Sequence, residues 1–276
     1  MNRACTSAEQ GSIFHHNCEI EYAGGAALER VDELCHLLYD YKNKGLACYG
    51  LPLFSRCFNL VKDTINLLSD SEAEYLIGQA AGLVPRIKFI RSRLTDWTSD
   101  FEKQASREFI SSRFLHPYLT DVNSKVDLEA TSSSVDRHSN IVFIGSGHFP
   151  ESAIRLVKQT GAKLTCCDIW SEAVGYSKEI IRGLRLPIRA IQADGATCAV
   201  NGFSHIWIAS LVPNKLQVMQ NIVRNAGNGT IVVLRYGNLL KELFNYPLPP
   251  CNLANLRPLA DLRGILCDSL ILRLEK

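Results

Sequence analysis

From Asn140 onward the chain alternates short apolar, β-branched runs with amphipathic segments. NIVFIG is followed by SAIRLVKQTG, then KLTCCDIW, SEAVGYSKEIIRGL, PIRAIQAD, FSHIWIAS, KLQVMQNIVRNAG and GTIVVLRY. The period switches between that of a strand and that of a helix. Strands joined through helices must run parallel, because a right-handed crossover returns each strand to the same sheet with its helix lying on a face. The tail CDSLILRLEK reads as a final strand. Residues 136–276 are therefore predicted to form an α/β, doubly wound, Rossmann-like domain with a parallel sheet. Ligands of such a sheet sit at the carboxyl ends of its strands.

The preceding residues, 1–135, carry a different signal. Leu28, Val31, Leu34, Leu38 and Tyr41 recur at helical spacing, with Gly45 as a stop. Leu53, Cys57, Leu60/Val61, Thr64 and Leu67/Leu68 do the same, as do Ile87, Ile90, Leu94, Phe101, Ala105 and Phe109. An all-α N-terminal domain is predicted here, and the polar stretch TSSSVDRHS at 131–139 reads as the linker. A total of 276 residues is ample for two domains. The net charge of +2 disfavours nucleic acid and polybasic membrane contacts. No apolar run approaches the ~18 residues needed to cross a bilayer, and no signal peptide is visible at the start. The ten cysteines include no C-x-x-C pair, so reduced thiols and a cytoplasmic location are expected, with Cys166 and Cys167 as core filler. His15 and His16 lack an acid at ligand spacing, and no metal is expected.

Directly after the first strand comes Gly145-Ser146-Gly147-His148-Phe149-Pro150, opening a helix. Glycines allow a sharp turn and close approach of a ligand to backbone, and Pro150 suits a first helical turn because no N–H is needed there. A dinucleotide fingerprint would place its third glycine where Pro150 stands. Asp168 ends the second strand, where a carboxylate accepts from both ribose hydroxyls. Asp194, in Ala193-Asp194-Gly195, ends the third, where a carboxylate could face an adenine amino group. Two acids at successive strand ends with a glycine loop fit S-adenosylmethionine (SAM) better than a nicotinamide cofactor. Each acid also has a plainer reading, as a helix cap or turn residue. Arg235 and Tyr236 end the fifth strand at the same edge, where arginine suits a substrate carboxylate. His148 lies within the loop and has no assigned role.

The stretch IVFIGSGHFPESAI, with CDIW, QADG, SLVPNK and VVLRYGN after it, resembles the nicotianamine synthase-like family. FEKQASREFI and FLHPYLTDVNSKVDLE resemble that family's acidic-helix and P-Y blocks, and the bacterial branch that makes opine-type metallophores matches in length and domain order. The resemblance covers residues from about 28 to 240. It implies transfer of the 3-amino-3-carboxypropyl (aminobutanoyl) group of SAM to the α-amine of an amino acid, histidine in that branch, with release of methylthioadenosine. It implies Glu102 and Tyr118 as the catalytic pair, with Asp96, Asp100 and Glu108 as fallback carboxylates. The cofactor set it implies is Gly145, Ser146, Gly147, Phe149, Pro150, Asp168, Ile169, Asp194, Gly195, Ser210 and Leu211. Glu33 and His36, on a helix face shared with Arg30 and Asp40, become acceptor contacts. A separate reductive enzyme, an opine dehydrogenase, would finish the product, and family habit suggests a homodimer. The plainer readings are an ion pair of Glu102 with Lys103 or Arg107 and a solvated face for the first helix. Two other functions share the same domain: a conventional methyltransferase, for which the helical half is larger than needed, and a non-catalytic adenosine-binding module.

Overall fold

The computed structural model describes residues 23–39, 46–113, 124–250 and 254–276. Tyr118 lies outside the described residues, as do Asp40, Gly45, His15 and His16. The chain divides into two compact units, Met1–Ile90 and Arg91–Lys276.

In the first unit, helix α1 covers residues 23–39, α2 Leu46–Ile65 and α3 Asp70–Gln79. Helix α4, Leu83–Ser112, begins in this unit and continues into the second. The expected stripes hold buried residues, Val31, Leu34 and Leu38 on α1, Cys57, Val61 and Thr64 on α2, Ile87 and Ile90 on α4, while Leu28, Leu53, Leu60 and Leu67 are half-buried. Helix α3 has no such stripe, with Ala73 its only buried residue. It is nucleated instead by a capping box, in which Ser69 N–H donates to Glu72 Oε2 at 2.8 Å and Ser69 Oγ accepts from Glu72 N–H at 3.4 Å.

In the second unit, α5 (Ser124–Ser132) precedes β1 (Asn140–Ile144), α6 (Glu151–Thr160), β2 (Lys163–Asp168) and α7 (Ser171–Leu184). Then come β3 (Ile188–Gln192), β4 (His205–Ile208), α8 (Lys215–Asn225), β5 (Ile231–Tyr236), a 3-10 turn (Leu239–Leu243), β6 (Leu256–Leu262) and β7 (Asp268–Leu274). They form one sheet in the order β3-β2-β1-β4-β5-β7-β6. Strands β1 to β5 pair parallel, and β7 runs antiparallel to both β5 and β6. The tail strand is thus present but reversed, and its partner β6 was not anticipated. Pro258, a register shift at Pro258/Ala260 and a largely exposed edge remove the alternation that makes a strand readable.

The sheet faces divide as period two requires. Val142, Ile144, Ile206, Ile208, Val232 and Leu234 point to one face, where Val218, Met219 and Ile222 of α8 cover them. Cys166 and Cys167 are both buried, and Cys167 belongs to this core. The polar stretch 131–139 lies inside the second unit, between α5 and β1. There Asp136 accepts from His138 N–H and Ser139 Oγ, each at 2.9 Å. The parallel strands deliver the turns after β1, β2, β3 and β4 to one edge of the sheet.

Candidate active site

The turn after β1 is built on two left-handed residues, Gly145 (φ 78°) and Gly147 (φ 71°), a conformation that L side chains adopt only at a cost. Gly145 N–H donates to the Cys167 carbonyl at 2.8 Å, which ties the loop to β2. Asp168 finishes the fastening: its Oδ2 accepts from Gly147 N–H at 2.8 Å and its Oδ1 from Trp170 N–H at 3.0 Å. Each carboxylate oxygen keeps a second lone pair for a ligand. Asp194 stands two residues beyond β3, where its Oδ1 accepts from Ala196 N–H at 2.9 Å. Both acids therefore serve their turns and also line the adjoining cavity.

Glu102 reaches the same loop from α4. Its Oε2 accepts from His148 N–H at 3.1 Å, and a Cβ on Gly147 would collide with its carboxylate. The missing side chain at Gly147 is what admits the acid. Burial pushes the Glu102 carboxyl up to about 8, with the Asp168 charge adding to the rise and the N–H groups of His148 and Phe149 opposing it. Neighbouring contacts hold α4 in place: Ser106 Oγ to the His148 carbonyl at 3.1 Å, Lys103 to Glu172 at 2.6 Å, and Arg107 Nε to Tyr176 OH at 2.6 Å. Lys103 and Arg107 thus pair with α7 and leave Glu102 to the loop. Of the fallback acids, Asp96 faces Arg93 at 3.5 Å and Glu108 accepts from Gln104 at 3.0 Å; neither these nor the exposed Asp100 line the cavity.

The cavity holds about 560 Å³, within the range of small-molecule sites. All eleven residues expected for the cofactor line it, together with Glu102 and Arg235. Tyr236 does not line it; its hydroxyl donates to Asp261 at 3.3 Å, and burial together with that acid pushes its pKa up to about 12. Glu33 and His36 lie exposed on α1 in the first unit, Glu33 paired with Arg56 at 2.9 Å and His36 Nδ1 donating to the Asp32 carbonyl at 2.8 Å.

Two further residues, Glu129 and Lys215, shape the site without a signal in the sequence. Arg235 turns its guanidinium onto buried Glu129, with Nε to Oε1 at 2.9 Å and Nη2 to Oε2 at 2.6 Å, while Nη1 donates to Ser152 at 3.0 Å. Glu129 also accepts from Ser269 at 2.5 Å and Trp207 at 3.3 Å, so every lone pair of this buried acid is engaged. Lys215, 2% exposed, donates to the Ser210 and Val212 carbonyls at 2.7 and 2.8 Å and so braces the loop after β4. Burial pushes its pKa down to about 7. His148 lines the cavity with its pKa lowered by burial, against the opposing pull of Glu172 and Asp168.

Comparison with known proteins places this arrangement in context. The family model described as "Nicotianamine synthase protein" matches residues 114–263. Proteins named "L-histidine 2-aminobutanoyltransferase" from two strains of Pseudomonas aeruginosa are each 36% identical over 165 residues, which is 58% of this chain and 61% of theirs. A Yersinia pestis protein of the same name is 28% identical over 167 residues, 60% of this chain and 63% of that one. The chain thus spans less than two thirds of the length of the curated relatives it matches. Among solved structures, a mutant of MtNAS in complex with S-adenosylmethionine has a TM-score of 0.75 at 17% identity, covering 90% of this chain and 98% of that one. MtNAS in complex with MTA and tNA has a TM-score of 0.76 at 18% identity, with 91% and 98% covered. At that identity the likeness is one of fold.

Proposed function

Because the chain belongs to the nicotianamine synthase family, we propose that it transfers the aminobutanoyl group of SAM to the α-amine of an amino acid, L-histidine, and releases methylthioadenosine. The name carried by its Pseudomonas and Yersinia relatives supports histidine as acceptor. The observation that carries the reading is the seating of Glu102: a buried carboxyl lodged on the glycine loop of a cavity that also holds two strand-end acids.

The donor set fits SAM. Asp168 and Asp194 offer free lone pairs at the nucleoside end, and the turn Gly145–Gly147 lets backbone approach closely. SAM supplies a sulfonium with three electrophilic carbons, so position decides which one is attacked. Glu102 attracts the acceptor's ammonium, takes its proton and leaves a lone pair to attack. A proton affinity near 8 suits that task, because the best base is matched to the working pH. Lys215 keeps Ser210 and Leu211 at the cavity wall. We assign Tyr118 as the second polar group of the site, and Glu33 and His36 to acceptor recognition by residues 1–135. The product keeps free amino and carboxylate groups, which suits completion of an opine metallophore by a separate reductive enzyme.

The test is to incubate the protein with SAM and a panel of amino acids and identify the nucleoside by mass spectrometry. Methylthioadenosine together with aminobutanoyl-histidine is the expected result. Recovery of S-adenosylhomocysteine makes the protein a methyltransferase, and cofactor binding without turnover makes it a binding module.

A further inference from the structure

Helix α4 presents Thr95, Thr98 and Ser99 to the cavity in the turn before Glu102. Several hydroxyls on the helices fold back onto the carbonyl four residues earlier: Thr64 to Leu60 at 2.6 Å, Thr95 to Arg91 at 2.8 Å, Ser106 to Glu102 at 2.7 Å, Thr160 to Leu156 at 2.6 Å. Thr98 does not. It is 3% exposed, and its Oγ1 has no hydrogen-bond partner among the described residues. Thr98 lines the cavity, but its Oγ1 is shut off from water in this rotamer; a buried hydroxyl with an unused back-bond carries a desolvation cost that a ligand repays once the side chain turns about χ1 toward the cavity.

The spacing indicates which ligand. Thr98 and Glu102 are four residues apart on one helix face, so their Cβ atoms are about 5–6 Å apart. In an α-amino acid the nitrogen and the nearer carboxylate oxygen are about 3 Å apart, and a hydrogen bond at each end adds about 2.8 Å. The straight span from one side-chain oxygen to the other, up to about 8.6 Å, exceeds that separation, so a molecule whose nitrogen meets Glu102 has the reach to set its carboxylate at Thr98. Arg235, the other carboxylate receptor expected at this edge, has turned two of its three nitrogens onto Glu129, whereas the hydroxyl of Thr98 is wholly unspent. We propose that Thr98 is a specificity-determining residue for the acceptor, its hydroxyl donating to the α-carboxylate of the amino acid whose nitrogen is held at Glu102. This rests on the transfer reading above and deepens it.

The experiment compares wild type, Thr98→Val and Thr98→Ser with two acceptors, L-histidine and histamine, which lacks the carboxylate. SAM affinity is measured separately by calorimetry. Thr98→Val raises KM for L-histidine by about tenfold to a hundredfold, the value of one hydrogen bond to a charged group, and leaves the Kd for SAM within about twofold. Wild type prefers L-histidine over histamine; Thr98→Val loses most of that preference and Thr98→Ser keeps it. Valine fills the same volume and removes an orphan donor, so the variant folds, as circular dichroism confirms. A Thr98→Val variant that keeps both its KM for L-histidine and its preference overturns this assignment alone. A wild-type protein that transfers nothing to L-histidine overturns the transfer reading and this assignment with it.

Discussion

Replacing Glu102 by glutamine separates the two things its carboxyl does. The folded protein raises that carboxyl from an ordinary 4.5 to about 8. The protonated form is therefore the one the fold favours. The stability that follows is fully present below the unfolded pKa and is lost as pH rises through about 8. Between pH 5 and pH 9 the loss is roughly 4 kcal/mol at about 1.36 kcal/mol per pH unit, and hydration of the loop on ionisation brings it to roughly 2–4 kcal/mol. Glutamine does not ionise, and its amide oxygen still accepts the His148 N–H that Glu102 accepts at 3.1 Å. Urea unfolding of both proteins should then show Glu102→Gln gaining on wild type by that amount from pH 5 to pH 9. Function moves the other way. Wild-type kcat/KM climbs with pH through about 8 as the base form fills, while the variant loses this limb and about 10²–10⁴-fold in rate. A stability difference that is the same at both pH values, or a variant that turns over at the wild-type rate, would refute the assignment of Glu102 as the buried base.

Three other perturbations bear on the same site. Gly147→Ala puts a Cβ into the Glu102 carboxylate on a residue at φ 71°; about 1–3 kcal/mol of stability and about a hundredfold in kcat are lost, and kinetics at the wild-type rate would disprove the contact. Asp168→Asn can keep only one of the two backbone N–H bonds that Asp168 accepts, so calorimetry should find the Kd for SAM weakened by at least about tenfold. Glu129→Gln strands the buried Arg235 charge and costs about 3–5 kcal/mol in urea unfolding; a cost under about 1 kcal/mol would mean the ion pair is not closed in solution.

The glycine loop and Asp168 were legible because each is specified locally, whereas Glu102 came from the family resemblance, with three other acids on the same helix left open. A strand end and a turn that needs left-handed backbone both leave a short-range imprint. Helix α3 and strand β6 left none: the first rests on its capping box with one buried residue, the second on its pairing with β7 despite Pro258. Residue type also misled where partners are remote. Arg235 reads as a carboxylate receptor until Glu129, 106 positions away, is seen to occupy it. Tyr236 reads as part of the same edge until its hydroxyl is found at Asp261.

Hydrophobic periodicity by itself determined that five strands, most of them joined through helices, would pair in parallel, and hence that their carboxyl ends would gather the turns around one ligand edge. Period is a property of neighbours in the chain, so it needs no fold to be read. Only the tertiary structure decided which of four acids on α4 meets the loop, that Lys215 braces the turn after β4, and that the hydroxyl of Thr98 is left without a partner. Each of those depends on what burial removes from water and on which groups from elsewhere in the chain come to replace it.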